Sequence, residues 1–385
     1  MFLVLYSVFL NYTAFMGIGP ITAAGQRKLW AISKNMATVD MHGKYEHVWG
    51  QLNSRLREIE AGEDGLDGAL RGLELHQKEA GFIKLALSSV ERHVFVHPED
   101  PSRFFRIQFN PERARRFSGA GIVTPPPGDE VKHDGCFLCR DNIRWQQRGT
   151  EMGYEVHLDD NRYYAWMNPF PLLPTHVVIA TKEHTSQEWP VCEKGSLDVS
   201  KLLNDLVGLA TRMPGYLGFY NGVSAGASIP GHLHFQFFKR PDKDLEFPLE
   251  RVAREQRKGG SDVMFVEGYP LDVAMWTGAP DDVIGLASAW IADWAARNKR
   301  RINALTANFI TSSDPHGEGI TLYFVPRDRS RTHGDGLSGL IGGLEVLGEL
   351  VFSSAEDKRR LDRGEVDYYS LEKTLACVRT PFFTD

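Results

Sequence analysis

"GASIPGHLHFQFF", residues 226–238, sets small residues and a Pro-Gly pair ahead of an alternating run. Alternation predicts a strand in which positions i, i+2 and i+4 share a face. His232, His234 and Gln236 then project together, while Leu233, Phe235 and Phe237 face a core. A lone histidine on a strand is usually a hydrogen-bonded structural group. Two of them followed by a glutamine, behind a small-residue loop, carry more information. Neutral imidazole attacks phosphorus well, and covalent catalysis splits one hard displacement into two easier ones. Gly222 and Gly226 in the preceding loop let backbone N–H groups approach phosphate oxygens, and Ser228 adds a hydroxyl donor. Gln236 can hold a phosphoryl oxygen without supplying a proton.

Around this stretch the chain alternates helices and strands. Residues 43–61 and about 66–80 read as amphipathic helices, and "HVFVHPEDPSRFFRIQFNPERARRF" reads as two strands around a turn. "RYYAWMNPFPLLPTHVVIATKEH" gives strand, turn, strand. "VSKLLNDLVGLATRM" gives a helix, and "YLGFYNG" and "HLHFQFFKR" give two further strands. The order helix, strand, turn, strand recurs in "DVIGLASAWIADWAARNKR", "INALTANFITSS", "DPHGEG" and "ITLYFVPR". Aligning Arg240 with Arg327 sets Thr321 against His234 and Tyr323 against Gln236. Either the chain is duplicated into an active and a degenerate half, or such runs arise by chance in an α+β protein; the pattern leaves both open. The resulting division is 1–42 as an N-terminal extension, 43–130 as a helical and strand lead-in, 131–245 as the catalytic half and 246–385 as the second half.

Of the 385 residues, 42% are hydrophobic and 24% charged, with a net charge of −6. This is globular composition, and it argues against a protein that coats nucleic acid. Four cysteines are too few for a disulfide scaffold, which points to a reducing, cytoplasmic setting. "MFLVLYSVFLNYTAFMGIGP" is apolar, but the first basic residue is Arg27 and the apolar run is short for a membrane span. We read it as an extension or an early start, with Met36 or Met41 as alternatives. A secretory signal is the lesser reading.

"CFLC", residues 136–139, is a redox pair, half of a metal site or two buried thiols without a metal. His184 and His232 would complete four ligands with Cys136 and Cys139, giving a closed structural zinc site that pins His232 beside His234. In "FVPRDRSR", Arg327 and Arg329 are candidates for gripping phosphate bidentately, and Lys239 ends the matching strand of the first half. The alternative is a solvated basic loop balanced by Asp328. Asn168 in "MNPFP" reads as a turn cap.

"AGASIPGHLHFQ" resembles the H-x-H-x-Q branch of the histidine-triad superfamily. That branch includes galactose-1-phosphate uridylyltransferase, diadenosine tetraphosphate phosphorylase and GDP-hexose phosphorylases. "CFLCRDNIRWQQRG", "MNPFPLLPTHVVIATKEHTSQ" and "NGVSAGAS" also resemble bacterial members, in the same order, so that the resemblance covers about 105–350. It implies an α+β fold, an antiparallel histidine-triad-like sheet with flanking helices. It implies His234 as nucleophile, Gln236 as the residue holding a nucleotidyl-histidine intermediate, and Asn221 and Ser228 as phosphate contacts. It further implies Cys136, Cys139, His184 and His232 as structural zinc ligands, and Arg144 and Gln147 as base or ribose contacts. A glutamine where the superfamily's hydrolases carry histidine favours transfer to an acceptor, since an amide is no general acid or base for water. The sequence departs from many relatives in placing Pro230-Gly231 before the motif, and the uridylyltransferase's hexose-binding residues find no match.

The expected function is a nucleotidyltransferase or phosphorylase acting on a nucleoside diphosphate-sugar or dinucleoside polyphosphate. The acceptor would be inorganic phosphate or a sugar phosphate. No nucleic-acid or membrane partner is expected, and the resemblance makes a homodimer plausible. The alternatives are a nucleotide hydrolase of the same superfamily and a non-catalytic nucleotide-binding protein.

Overall fold

The computed structural model describes residues 45–83, 86–116, 131–143, 150–188, 198–242, 245–256, 263–313, 319–334 and 340–383. Arg144, Gln147, Cys192, His316 and the N-terminal extension lie outside the described residues.

Nine strands form one antiparallel sheet: β3 (Gly153–Leu158), β4 (Asn161–Met167), β5 (Val177–Thr181), β6 (Tyr216–Asn221), β7 (His234–Lys239), β8 (Met264–Phe265), β9 (Ala274–Gly278), β10 (Leu305–Ser313) and β11 (Ile320–Asp328). Their order is β3-β4-β5-β7-β6-β10-β11-β9-β8. The first arm, β3 to β7, meets the second, β8 to β11, where β6 pairs β10. The sheet is continuous across that junction. In each arm a helix precedes the last two strands: α3 (Val199–Thr211) before β6, and α5 (Pro280–Arg297) before β10. Asn221 and Asn308 are directly paired across the junction.

Both sheet faces are covered, so the central strands read as nearly continuous apolar runs. All six residues of β6 are buried. One face packs on α1 (Tyr45–Glu60), α2 (Gly65–Glu79), α3 and α5, and takes Leu233, Phe235 and Phe237 as expected. Val48, Trp49, Leu52 and Leu56 make the buried stripe of α1, at the spacing an amphipathic helix requires. Asp198 caps α3 by accepting from the Ser200 N–H at 2.9 Å.

The other face holds Leu217, Phe219, Phe238, Ile310 and Tyr323. Over it lie α4 (Pro248–Glu255), the C-terminal segments and a second sheet of β1 (Glu91–Val96), β2 (Phe104–Phe109) and β12 (Glu349–Phe352). β12 runs parallel to β2, so the lead-in and the C-terminal region close on one another. Strands β3, β8, β9 and β12 escape a sequence reading, because short segments without clean alternation carry little periodic signal. Among the described residues, no helix is long and apolar enough to cross a membrane.

Candidate active site and metal centre

Cys136 and Cys139 sit on the turn before the short helical segment Arg140–Ile143. His184 follows β5, and His232 lies two residues before β7. One ligand atom from each of the four comes within 4.8 Å of all the others. Cys136 Sγ is 3.4 Å from His232 Nδ1, Cys139 Sγ is 3.5 Å from the same nitrogen, and Cys139 Sγ is 3.3 Å from His184 Nδ1. A tetrahedral ion with ordinary sulfur and nitrogen bond lengths needs an S···N edge of about 3.6 Å. The group fits a metal. His232 Nε2 lies 2.8 Å from the Thr181 carbonyl, so it carries the ring proton and leaves Nδ1 as the ligand atom. The two thiols act on one another: the Cys139 contact pulls the Cys136 thiol down, against the effect of burial, and pushes Cys139 up.

The His232 carbonyl also reaches the next histidine. His234 Nδ1 is 2.8 Å from it, and a carbonyl can only accept. Nδ1 therefore carries the proton and Nε2 keeps its lone pair. The ring is 3% exposed, and burial brings it down to about 4, against the upward pull of that carbonyl bond. A ring held this low is neutral at physiological pH, with Nε2 free to act as a base, ligand or nucleophile.

Gln187 fixes its backbone. The paired register of β6 and β7 runs as far as Phe219 opposite Gln236. Beyond that pair, the fully buried Gln187 amide lies between the strands. It accepts from the His234 N–H at 2.7 Å, and it donates to the Asn221 carbonyl at 2.8 Å and the His234 carbonyl at 3.2 Å.

Two site amides are held by their oxygens. Gln236 Oε1 is 3.0 Å from His176 Nε2. Asn221 Oδ1 accepts from Asn308 Nδ2 at 2.8 Å and from the Gly343 N–H at 2.9 Å. Both arrangements leave the NH2 end as the group able to donate to a ligand. Gly226 has φ 98°, and a side chain there would strike the Gly342 backbone. The loop after β6 and the segment at 341–343 thus touch main chain to main chain, and glycine is required for conformation and for space.

A family model described as a domain of unknown function, DUF4922, matches residues 84–239. No curated protein matches the sequence. Among solved structures, yeast Ap4A phosphorylase Apa2 aligns over 81% of this chain and 96% of its own, at 17% identity and a TM-score of 0.52. Its complex with AMP aligns at 18% identity and a TM-score of 0.53, covering 81% of this chain and 95% of that one. This chain has the histidine-triad-like fold. Fold class and architecture are those that the resemblance of "AGASIPGHLHFQ" implied.

Within that histidine-triad-like fold the remaining sequence candidates separate. Ser228 is exposed on the glycine-rich loop with its hydroxyl available, beside Gly226. Arg327 is turned into the interior. It is 0% exposed, and it donates to Asn308 Oδ1 at 2.7 Å and to the Ile341 carbonyl at 2.9 Å. A guanidinium enclosed in this way holds Asn308, which in turn holds Asn221. Lys239 is also committed elsewhere, bound to Asp67 at 2.7 Å. It stands at the far end of β7, five residues and about 17 Å from His234. Arg329 bonds Glu188 at 2.7 Å, next to Gln187, and so reaches the rim of the site through an ion pair. Asn168 caps its turn, accepting from the Phe170 N–H at 2.9 Å. Gly231 has no conformational need for glycine: a Cβ there would meet only His184 Nε2, at 4.0 Å.

Sequence reasoning missed Gln187, His176 and Asn308. The first two lie inside "MNPFPLLPTHVVIATKEHTSQ", where only the resemblance, and no periodicity, marks them.

Proposed function

We propose that this protein is a nucleotidyl phosphorylase or nucleotidyltransferase working through a nucleotide bound covalently to His234. The observation that carries the reading is the protonation pattern of that ring, with Nδ1–H tied to the His232 carbonyl at 2.8 Å and a lone pair on Nε2. The substrate is a nucleoside diphosphate-sugar or a dinucleoside polyphosphate. The histidine-triad-like fold shared with an Ap4A phosphorylase supports the second class.

Nε2 attacks the α-phosphorus in line. A nitrogen–phosphorus bond forms as the bond to the bridging oxygen breaks, and the rest of the substrate leaves as a phosphate ester. The phosphorylated ring carries a positive charge, and the His232 carbonyl dipole faces it at Nδ1. An oxygen of inorganic phosphate, or of a sugar phosphate, then attacks the same phosphorus, and Nε2 recovers its electron pair. No proton moves in either step, which suits a site whose third motif residue, Gln236, is an amide. Gln236, Asn221 and Ser228 would donate to the non-bridging oxygens, where developing charge makes fixed donors most effective.

Zinc is the metal that best suits two thiolates and two imidazoles. Cys136, Cys139, His184 and His232 would hold it with no open position, so it would supply no chemistry. It would fix the His232 main chain, whose carbonyl sets the tautomer of His234.

Incubation with labelled Ap4A or nucleoside diphosphate-sugars, followed by intact-protein mass measurement, should show one nucleotidyl group on His234. His234→Gly should remove it, and release should require phosphate or a sugar phosphate. Full turnover by His234→Ala would sink the covalent mechanism. Release of nucleotide to water at the same rate without acceptor would make the protein a hydrolase.

A further inference from the structure

His176 immediately precedes β5 and is 2% exposed, packed at a 57° tilt against Phe238 with ring centroids 4.2 Å apart. Nε2 lies between two amides, with Gln236 Oε1 at 3.0 Å and the Asn168 NH2, itself a donor, farther off at 3.4 Å, so the tautomer is decided at Nδ1. The Leu172 N–H, which can only donate, lies 3.3 Å from Nδ1. Nδ1 is therefore the lone-pair nitrogen, and the ring proton sits on Nε2, which donates to Gln236 Oε1 at 3.0 Å. The fold strains to place this ring. Thr175, the residue before it, takes left-handed backbone at φ 45°, a conformation that costs a β-branched residue. The Thr175 hydroxyl is anchored on Glu74 at 2.9 Å. Burial, with the Arg113 guanidinium nearby, holds the ring well below the usual histidine range, so it stays neutral.

Gln236 has a choice that the backbone does not settle. Its side-chain amide can present either oxygen or NH2 to a ligand, and the two ends are nearly the same size. Toward an anionic phosphoryl oxygen one end attracts and the other repels. A fixed N–H donor on the oxygen decides which end faces outward.

We propose that His176 is a positioning residue that sets the Gln236 amide, so that its NH2 and not its oxygen meets the phosphoryl group. This rests on the reading of His234 and Gln236 given above, and it adds a residue that the H-x-H-x-Q motif does not contain.

The test has two arms. In the first, 15N NMR of the ligand-free wild-type protein should find His176 as the Nε2–H tautomer, unchanged between pH 8 and pH 5. The Nδ1–H tautomer, or a ring that titrates in that window, overturns the proposal whether or not the protein proves to be a phosphorylase. The second arm measures adduct formation and turnover on Ap4A in a double-mutant cycle. His176→Phe keeps an aromatic ring and removes the donor; it should lower kcat about 10- to 100-fold, the scale of losing an aimed donor, with KM changed less than about threefold. His176→Gln, whose Nε2 can stand in for the imidazole nitrogen, should recover most of the loss. In a Gln236→Leu background, His176→Phe should cost less than about twofold more, because the residue it acts through is gone. Full additivity of the two substitutions, or no rescue by a well-folded His176→Gln, overturns the proposal. Failure of the wild-type protein to form any adduct counts against the covalent mechanism, and the NMR arm then still decides how the amide is set.

Discussion

Strands β7 and β11 occupy matching places in the two arms of the sheet, and their contents differ. On the face where β7 carries His234 and Gln236, β11 carries Thr321 and Tyr323. Thr321 is 6% exposed with its hydroxyl 3.1 Å from that of Thr277, and Tyr323 is 1% exposed. The same backbone position thus holds a buried neutral imidazole, the proposed nucleophile, in one arm and plain packing in the other. Yet the second arm is not a bystander. Further along the sheet, Arg327 of β11 and Asn308 of β10 form a buried chain that ends on Asn221 of the first arm. One arm would do the chemistry, and the other would hold one of its amides in place.

That contrast can be broken in several ways, and the largest effect should come from the nucleophile. His234→Ala should lower turnover at least about a thousandfold, as loss of a nucleophile does elsewhere. Thr321→Val, its counterpart, should stay within about threefold, measured as turnover on Ap4A. Comparable losses at both positions would mean that the second arm also works as a site.

Next comes the metal. Elemental analysis should find one zinc per chain, lost in Cys139→Ser. Chelation should lower the melting temperature, since metal binding at a preformed four-ligand site contributes several kcal/mol of folding energy. An unchanged melting temperature in the metal-free protein would separate the C-x-x-C turn from the stability of the first arm.

A smaller effect is expected across the junction. Asn308→Ala removes a donor to Asn221 and leaves Arg327 without an acceptor at 2.7 Å. We expect about a tenfold loss of kcat with the nucleotidyl group still found on His234. Wild-type kinetics in a folded Asn308→Ala would show that the second arm's network serves stability alone.

The smallest expected effect concerns pH and stability. Among the described residues every buried histidine, His76, His176, His232 and His234, belongs to the lead-in or the first arm. Burial brings His76 down to about 4. A ring whose folded value is depressed is protonated first in the unfolded chain. Its contribution is present above about pH 6.5 and is lost as pH falls toward about 4. His76 and His234, each brought down to about 4, should each give a slope near 1.4 kcal/mol per pH unit in that window. Denaturant unfolding between pH 7 and pH 4.5 should show this decline, and His76→Leu should flatten it by one group's worth.

The site was partly legible in the sequence for a physical reason. A strand has a period of two, so "HLHFQ" by itself fixes which side chains share a face. The turn of "CFLC" keeps two thiols close whatever surrounds them. Phosphate contacts by Arg327 and Lys239 were a different kind of inference, from charge at a strand end. Charge does not say whether a cation meets solvent, a ligand or a buried partner. Arg327 met Asn308, and Lys239 met Asp67. Strand β12 was invisible because four residues that pair in parallel with a strand far away in the chain have no local signature.

The sequence by itself determined the α+β pattern, the shared face of His234 and Gln236, the four residues able to hold a metal and the glycine-rich loop beside them. Only the tertiary structure decided how those groups are held. Gln187 reaches His234 across 47 residues, His176 reaches Gln236 across 60, and Asn308 reaches Asn221 across 87. Periodicity reports which way a side chain points relative to its own strand. The tautomer of an imidazole or the facing of an amide is set by a donor or acceptor from elsewhere in the chain, and that partner exists only once the chain has folded.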